Sequence, residues 1–321
     1  MRKVKLGWQG PEVSEVCFGS LAVSPLQGRV TGAEGTALLS YAIERGVDWI
    51  DTAEIYDNYG QIAPVLAANP HVRVVCKSYA VTAEEMHHSI EKARRELQRD
   101  VIDFFLLHEQ ESALTLRGHR AAWEELLSAK QKGFVGRIGI STHAVAGVRA
   151  GALLAGLDVI HPILNREGIG IIDGTLADML EAIAFASELG IGMYAMKIFG
   201  GGHLTGDAEA ALNFFREQEN VPAAALGMSS RDEIDFNLAV LAGEPITDTL
   251  RRTVQTRPRT LFIADWCQGC GRCLEACPQG ALALSNERDG KRRVQAAVDH
   301  QACVLCGYCG RVCPHFCLKI V

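Results

Sequence analysis

The sequence lacks a long hydrophobic run, a surplus of positive charge and an apolar stretch near its start. No run reaches the roughly 18 apolar residues that a membrane-spanning helix requires. The formal net charge is −6, with 32 lysines and arginines against 38 acidic residues, which favours neither nucleic acid nor an anionic membrane as a partner. The opening MRKVKLGWQGPEV lacks the hydrophobic segment of a secretion signal. We therefore expect a cytoplasmic protein that binds neither membranes nor nucleic acids.

Cysteine is present but is distributed very unevenly along the 321 residues. Of the eleven cysteines, Cys17 and Cys76 stand alone, and the other nine lie between Cys267 and Cys317. Because cytoplasmic thiols stay reduced, a dense cysteine cluster predicts metal binding rather than a framework of disulfides.

The composition also divides the chain into three segments. Hydrophobic residues make up 48% of it, which is enough to bury a large core. Residues 1–249 are rich in alanine, glycine and leucine, whereas 250–261 contain four arginines and 262–321 contain the cysteine cluster. We predict a large α/β domain, a linker and a small metal-binding domain, in that order.

The large domain alternates short apolar runs with amphipathic helical stretches. Such runs are typical of buried parallel strands, and eight of them occur. The runs cover 16–23, 49–53, 72–78, 101–108, 135–141, 157–164, 191–197 and 223–229. Eight strands alternating with helices over this length predict a (β/α)₈ barrel of the TIM type. An open doubly wound sheet is the alternative, although no GxGxxG fingerprint follows the first strand.

Polar side chains end three consecutive strands of this barrel. Asp51, Lys77 and His108 close these strands, and Tyr56 follows Asp51 by five residues. Each alone suits a structural role, but the carboxyl ends of barrel strands meet at one rim, so the four are expected to lie together. A lysine lowers the pKa of a neighbouring tyrosine, a carboxylate holds that lysine, and a histidine positions a carbonyl oxygen. The set predicts protonation of an oxygen as hydride arrives at its carbon.

Several segments of the large domain resemble the aldo-keto reductases. The similarity includes DWIDTAEIYDNYG, VVCKSY and VIDFFLLHE around the four polar residues, together with VSEVCFGSLAVS, RIGIST, FGGGHLTG and LGMSSRDEIDFN. It covers roughly 1–245. The resemblance implies a small carbonyl substrate, with Tyr56 as proton donor, Lys77 and Asp51 as the pair that tunes it, and His108 as the residue that orients the carbonyl.

The resemblance also implies a nicotinamide dinucleotide that lies extended across the barrel mouth. The positions that correspond to its groove are Ser141, Thr142, Asn165, Met196, Lys197, Gly200, Gly201, Gly227, Ser229, Ser230, Arg231 and Asn237. Glu233 would repel the 2′-phosphate of NADP and Arg231 would attract it, so NADP and NAD both stay open. A flavin is a further alternative.

The cysteine-rich domain contains two similar runs. Each has the pattern Cys-x₂-Cys-x₂-Cys-x₃-Cys-Pro, which is that of bacterial ferredoxins with two [4Fe–4S] clusters. In this pattern the fourth cysteine of each run binds the cluster of the other run. The ligands of cluster 1 are then Cys267, Cys270, Cys273 and Cys313, and those of cluster 2 are Cys303, Cys306, Cys309 and Cys277. Zinc is the alternative, but it needs only four ligands and commonly pairs two CxxC motifs.

Three cysteines and one segment lie outside this pattern. We expect Cys17, Cys76 and Cys317 to be small buried apolar residues. The charged segment 285–300 is predicted to form a solvated hairpin that turns at Asp289-Gly290, or to dock a redox partner.

The combination leaves three hypotheses. In the first, the barrel reduces a carbonyl-type small molecule, linked to NAD(P)H, and the clusters exchange electrons with a ferredoxin-like or other redox partner. In the second, the chain is an electron-transfer protein whose barrel holds a flavin or another ligand that is not nicotinamide. In the third, the barrel only binds a ligand and the clusters are structural, although the intact set of four polar residues argues against this.

Overall fold

The computed structural model describes residues 1–27, 30, 32–285 and 294–321. The chain opens with an antiparallel hairpin of β1 (Lys3–Lys5) and β2 (Glu12–Ser14). Leu6 and Val13 of this hairpin are buried in the hydrophobic cluster that fills the barrel interior. The hairpin therefore closes the end of the barrel opposite to its mouth.

Eight parallel strands form a closed barrel in the order β10-β3-β4-β5-β6-β7-β8-β9. They are β3 (Val16–Gly19), β4 (Trp49–Asp51), β5 (Arg73–Ser78), β6 (Ile102–Leu107), β7 (Val135–Thr142), β8 (Val159–Pro162), β9 (Gly192–Ala195) and β10 (Ala223–Leu226). Seven strands lie within the predicted runs and β7 extends one residue beyond its run, so the barrel is confirmed and the open sheet is wrong.

Helices cover the outside of the barrel. They are α1 (Gly32–Glu44), α2 (Tyr59–Ala68), α3 (Ala83–Leu97), α4 (Ala113–Gly118), α5 (Arg120–Gln131), α6 (Val145–Ala152), α7 (Leu176–Glu188), α8 (Ala208–Arg216), α9 (Arg231–Ala242) and α10 (Asp248–Thr256). Several begin at a side-chain cap; at α3, Thr82 and Glu85 form a reciprocal capping box. Among the described residues, no helix combines the length and apolarity needed to cross a membrane.

The barrel has two hydrophobic layers. One lies between the strands and the outer helices and includes Cys76, and the other fills the interior around Trp49, Phe104 and Cys17. Both cysteines are fully buried, as expected for small apolar residues. The interior layer leaves the carboxyl ends of the strands free to carry polar groups.

The predicted linker is largely helical, because α10 covers its first half and buries Val254. Beyond it, the small domain contains two antiparallel strand pairs and two short helices. These elements are β11 (Leu261–Ile263), α11 (Arg272–Glu275), β12 (Leu282–Ser285), β13 (Gln295–Val298), α12 (Tyr308–Arg311) and β14 (Leu318–Ile320). β11 pairs with β14, and β12 pairs with β13. The predicted turn at Asp289-Gly290 lies outside the described residues.

The small domain packs directly on the mouth of the barrel. Phe316 is buried in the hydrophobic cluster of the large domain. Arg311 pairs with Glu167 at 2.5 Å, and His203 Nε2 lies 2.9 Å from the carbonyl oxygen of Leu318. The cysteine-rich domain is thus joined to the loops that follow β8 and β9.

Candidate functional site

Asp51 and Lys77 form a buried ion pair at the barrel mouth. Asp51 ends β4, and Lys77 lies near the end of the adjacent strand β5. The ammonium of Lys77 donates to Asp51 Oδ1 at 2.7 Å and to the carbonyl oxygen of Thr52 at 2.8 Å. Burial raises the pKa of Asp51, but the charge of Lys77 and the hydrogen bonds from Lys77 and Tyr194 together outweigh it, and the pKa lies below its ordinary value. The carboxylate is therefore ionised and holds the ammonium in one orientation.

Two residues from β8 and β9 complete the surroundings of Asp51. Tyr194 donates its hydroxyl to Asp51 Oδ2 at 2.9 Å. The ring of His161 stacks on that of Tyr194, with centroids 3.8 Å apart, and its Nε2 lies 3.7 Å from Asp51 Oδ2. Burial lowers the pKa of His161 to about 3, so its imidazole is neutral. Sequence reasoning missed Tyr194, although a tyrosine inside a buried strand requires a hydrogen-bond partner.

Tyr56 lies beside this pair, but its pKa differs from the prediction. The ammonium of Lys77 is 5.3 Å from the centroid of the Tyr56 ring. Burial and the charges of Asp51 and Glu109 raise the pKa of Tyr56 well above its ordinary value. The prediction of a lowered pKa is wrong because burial is the dominant effect on Tyr56. Tyr56 is therefore a neutral phenol, which is the form that donates a proton.

His108 faces Tyr56 from the end of β6. The two rings meet edge to face with centroids 6.0 Å apart, and Tyr79 stacks on the other side of His108 at 4.4 Å. Burial and the charge of Lys77 lower the pKa of His108 to about 3. Its buried Nδ1 has no hydrogen-bond partner among the residues that the structure describes. His108 thus presents a neutral ring at the mouth.

Three loops at the barrel mouth each contain a residue whose backbone conformation is rare for residues other than glycine. Asp57, Glu109 and Lys197 have φ angles of 51°, 49° and 64°, in the left-handed region that favours glycine. Glu109 accepts a hydrogen bond from Tyr79 Oη at 2.6 Å. Burial raises the pKa of Glu109, but nearby histidines and this hydrogen bond lower it to about 2. Such backbone strain concentrates at functional sites.

A cavity of about 200 Å³ lies at the barrel mouth. All four residues of the predicted catalytic set line it, namely Asp51, Tyr56, Lys77 and His108. Five of the predicted cofactor contacts also line it, namely Met196, Lys197, Gly201, Gly227 and Ser229. Seven others lie outside its lining, namely Ser141, Thr142, Asn165, Gly200, Ser230, Arg231 and Asn237.

The residues outside the cavity have local structural contacts instead. Asn165 is buried and makes hydrogen bonds with both backbone groups of Ile169, which fixes the loop after β8. Ser230 caps the first turn of α9. The guanidinium of Arg231 lies 4.8 Å from the ring centroid of Tyr41, on the outside of the barrel. These contacts do not depend on a cofactor.

The small domain lies over the groove where the resemblance predicts the dinucleotide. Ile320 and Val321 line the cavity together with Gly202 and Ser229. The backbone of Ile320 passes so close to Gly202 that a β-carbon there would be 1.8 Å from the Ile320 carbonyl oxygen. Ligand pockets commonly have volumes of roughly 300–1,000 Å³, and this cavity has about 200 Å³. The small domain thus covers part of the groove in which the dinucleotide is predicted to lie.

The far end of the same groove contains a charge cluster. Glu233 accepts hydrogen bonds from the backbone nitrogen and the hydroxyl of Ser229 at 2.8 and 3.0 Å. Arg257 and Arg259 approach its carboxylate at 3.4 and 3.5 Å. Arg257 also donates to the carbonyl oxygen of Ser229 at 2.9 Å. The segment that joins the two domains is thus bound where the 2′-phosphate was expected.

The eight cysteines of the two runs line two separate small cavities. Four line the first cavity, namely Cys267, Cys270, Cys273 and Cys313, and the other four line the second, namely Cys277, Cys303, Cys306 and Cys309. This is the crossed grouping that the sequence pattern predicts. Among the described residues, no three histidine, cysteine or acidic side chains converge as around one ion, and a cubane holds its thiolates further apart. The donor set fits two [4Fe–4S] clusters.

Backbone amides point at several of these sulfurs. Ala281 and Ala296 donate to Cys277 Sγ and Cys267 Sγ at 3.4 and 3.5 Å, and the backbone of Cys317 donates to Cys313 Sγ at 3.2 Å. Hydrogen bonds to cluster sulfurs tune the reduction potential. Cys317 is buried as predicted, and it also lines the first cavity, which sequence reasoning missed.

Comparison with protein families assigns both parts of the chain. The description "Aldo/keto reductase family" matches residues 15–235, and "4Fe-4S dicluster domain" matches residues 266–317. A Pseudomonas aeruginosa structure described as a "putative aldo-keto reductase" has a TM-score of 0.65 at 22% identity, covering 75% of this chain and 95% of its own. An aldo-keto reductase from Bacillus halodurans, solved in its holo form, has a TM-score of 0.65 at 18% identity, covering 79% and 95%. At these identities the two structures show the fold alone.

Two curated relatives are ferredoxin proteins that match short stretches of the chain. A polyferredoxin protein from Methanothermus fervidus is 31% identical over 70 residues, which are 21% of this chain and 17% of the relative. An uncharacterized ferredoxin from Methanocaldococcus jannaschii is 40% identical over 48 residues, which are 15% of this chain and 58% of the relative. The chain therefore spans less than two thirds of either relative.

Proposed function

The chain belongs to the aldo/keto reductase family and carries a 4Fe–4S dicluster domain, and from this premise we propose that its barrel reduces the carbonyl group of a small molecule with electrons that arrive through the clusters. Reduction of a carbonyl to an alcohol takes two electrons and two protons. The barrel mouth supplies the first proton, solvent supplies the second, and a low-potential one-electron protein is the external donor.

Tyr56 is the proton donor in this proposal. As the carbonyl oxygen gains electron density, the neutral phenol of Tyr56 transfers its proton to that oxygen. The ammonium of Lys77 then stabilises the phenolate that forms, since Asp51 and the Thr52 carbonyl prevent it from turning away. His108 is neutral and lines the same cavity, so its ring can orient the substrate oxygen.

The position of strand β14 supports electron transfer between the clusters and the barrel mouth. Leu318 lines the first cysteine cavity, Ile320 lines both the second cysteine cavity and the barrel cavity, and Lys319 between them lines the barrel cavity. Side chains alternate between the faces of a strand, so one strand separates both cysteine cavities from the catalytic mouth. The eight cysteines would hold two clusters on the far side of this strand, and such clusters would supply electrons one at a time.

The surface near the second cysteine cavity suits the external donor. Cys306 is exposed, and Val304 and Tyr308 beside it are 61% and 52% exposed. Exposed apolar side chains of this kind are enriched where proteins associate. We infer that a ferredoxin-like redox protein docks here.

The version linked to NAD(P)H is the second candidate, because Met196, Gly227 and Ser229 do line the cavity as that version requires. It demands that β14 move away from the groove before the dinucleotide binds. The two versions differ in what reduces the clusters, and so a titration with nicotinamide separates them. A flavin in the mouth would appear as an additional absorbing group in anaerobically purified protein.

The test of the proposed function is a re-oxidation experiment. Holoprotein with clusters reduced by dithionite is mixed anaerobically with a series of aldehydes and ketones, and the visible absorbance of the clusters is followed. We expect recovery of the absorbance with formation of the alcohol, and a loss of at least ~10²-fold in rate in Tyr56→Phe. Tyr41→Phe is the matched control, because the Tyr41 hydroxyl bonds to Asp235 outside the barrel. Equal rates in Tyr56→Phe and the wild type, at equal iron content, would exclude Tyr56 as the donor.

A further inference from the structure

The small domain contributes a buried lysine to the cavity of the barrel. Lys319, the central residue of β14, is only 4% exposed and lines the same cavity as Tyr56 and His108. Its ammonium lies 4.5 Å from the ring centroid of Trp266. Among the residues that the structure describes, no carboxylate or carbonyl accepts a hydrogen bond from it. A buried ammonium without an acceptor is costly, and this one lines the cavity at the barrel mouth.

A second lysine faces the same space from the barrel. Lys197 follows β9, and its backbone has a φ of 64°, which strains any residue other than glycine. Its ammonium lies 5.3 Å from the ring centroid of Phe316 and, within the described part of the chain, has no hydrogen-bond acceptor. The strained backbone and the absence of an acceptor together indicate that this position serves a ligand rather than the fold.

The charges of the inner cavity do not cancel. Its cationic side chains are Lys77, Lys197, Lys319 and Arg259, and its carboxylates are Asp51, Glu109 and Glu233. Lys77 pairs with Asp51, and Arg259 pairs with Glu233. Glu109 accepts a hydrogen bond from a tyrosine and has one charge to set against Lys197 and Lys319. Burial lowers the pKa of Lys319 to about 7 and also lowers that of Lys197, so a bound anion would stabilise the charged forms of both. The histidines that line the cavity are neutral, so one positive charge is left over when both lysines are charged.

We propose that Lys197 and Lys319 form an anion site for a carboxylate of the substrate, so that the barrel takes oxo acids rather than neutral carbonyl compounds. This inference rests on the proposed function for the identity of the reacting group. One surplus charge in a cavity of about 200 Å³ fits a small monoanion. The ligand would bind across both domains, and Lys319 of the small domain would set the specificity of the barrel.

The test is a binding measurement that needs no electrons. Oxidised holoprotein is titrated calorimetrically with pyruvate and with acetone, which has a methyl group in place of the carboxylate. Levulinate and 2-pentanone form a second pair, in which a longer chain separates the carbonyl from the charged group. We expect at least one acid to bind at least ~10-fold more tightly than its neutral partner, since a buried charge pair is strong in a site shielded from water. Equal affinity within both pairs would overturn the proposal.

The variants separate the site from general damage. Lys319→Met and Lys197→Met are each expected to weaken binding of the acid at least ~10-fold, whereas Lys319→Arg retains most of the affinity. Lys132→Met removes an exposed lysine from the far surface and serves as the control. Iron and sulfide contents verify that each small domain is intact, and Lys197→Met tests the site without altering that domain. Unchanged affinity in both methionine variants would overturn the proposal.

Failure of this inference is distinct from failure of the proposed function. If an acid binds through the two lysines but never re-oxidises the reduced clusters, the anion site is supported and the reductase proposal fails. If neutral ketones re-oxidise the clusters as fast as the acids and bind equally well, the reductase proposal stands and the anion site is overturned.

Discussion

Gly202 lies against the backbone of Ile320, and a β-carbon on Gly202 would be 1.8 Å from the carbonyl oxygen of Ile320. The first residue belongs to a loop of the barrel mouth, and the second belongs to the last strand of the cysteine-rich domain. Gly202 also has a φ of 90°. Both the close contact and this backbone conformation therefore favour a residue without a side chain. This approach joins the two domains over the catalytic cavity.

Gly202→Ala is therefore expected to loosen the small domain from the mouth. Overpacking typically costs about 1–3 kcal/mol, and the strained backbone adds to that cost. Limited proteolysis of the segment between the domains should become faster, and re-oxidation of the reduced clusters by substrate should become slower. Gly206→Ala is the control, because a β-carbon at Gly206 meets nothing within 4 Å. The same protection and the same rate in Gly202→Ala as in Gly206→Ala would show that the contact does not hold the domain.

The crossed ligation is tested by pairs of cysteine substitutions. If Cys270 and Cys313 bind the same cluster, the double variant to alanine should damage one cluster and retain about half of the iron and sulfide. The pair Cys270 and Cys277 should damage both clusters, since these two cysteines line different cavities. Iron and sulfide analysis with EPR of the reduced protein gives the result. The reverse pattern, with the greater loss in the first pair, would indicate that each run binds its own cluster.

Acid should destabilise the barrel through its buried neutral histidines. The pKa of His161 is lowered to about 3 by burial, whereas an unfolded histidine titrates near 6.5. Between these values the unfolded chain binds more protons, so the free energy of unfolding falls as the pH falls below about 6.5. At pH 5 the loss due to His161 is about 2 kcal/mol.

His161→Gln should remove this loss. When the pH is lowered from 7 to 5, the free energy of unfolding of this variant, measured in urea, should fall by about 2 kcal/mol less than that of the wild type. His71→Gln, at an exposed position, is expected to show no such change. An identical dependence on pH in His161→Gln and the wild type would mean that His161 is not held neutral.

The sequence allowed the barrel to be predicted because each of its strands is a short apolar run with its own boundaries. Helices such as α2 and α6 were harder to predict, since α2 contains Pro64 and α6 contains two glycines. The convergence of the four polar residues was predictable as well, because strand ends in a barrel converge whatever the loops do. Their electrostatics were not, since the pKa of Tyr56 depends on how deeply it is buried.

Nothing in the sequence indicates that the last strand contributes a residue to the barrel cavity. β14 is three residues long, which is too short for an alternation of apolar and polar residues to be recognised. From the sequence alone, Lys319 is expected to be an ordinary solvent-exposed lysine. Its burial depends on packing against loops more than a hundred residues earlier, around Gly202 and Lys197. Five of the predicted cofactor contacts line the cavity, and the small domain covers part of a groove that was inferred from the barrel alone.

In the proposed function, electrons reach the barrel through the clusters, and β14 occupies the place that a dinucleotide would take. The most direct measurement is an anaerobic titration of the holoprotein with NADPH and with NADH, in which cluster absorbance and nucleotide binding are followed together and dithionite is added last. We expect neither nucleotide to bind or to bleach the clusters, and dithionite to bleach both of them. Stoichiometric binding of either nucleotide, with bleaching before dithionite is added, would contradict the account.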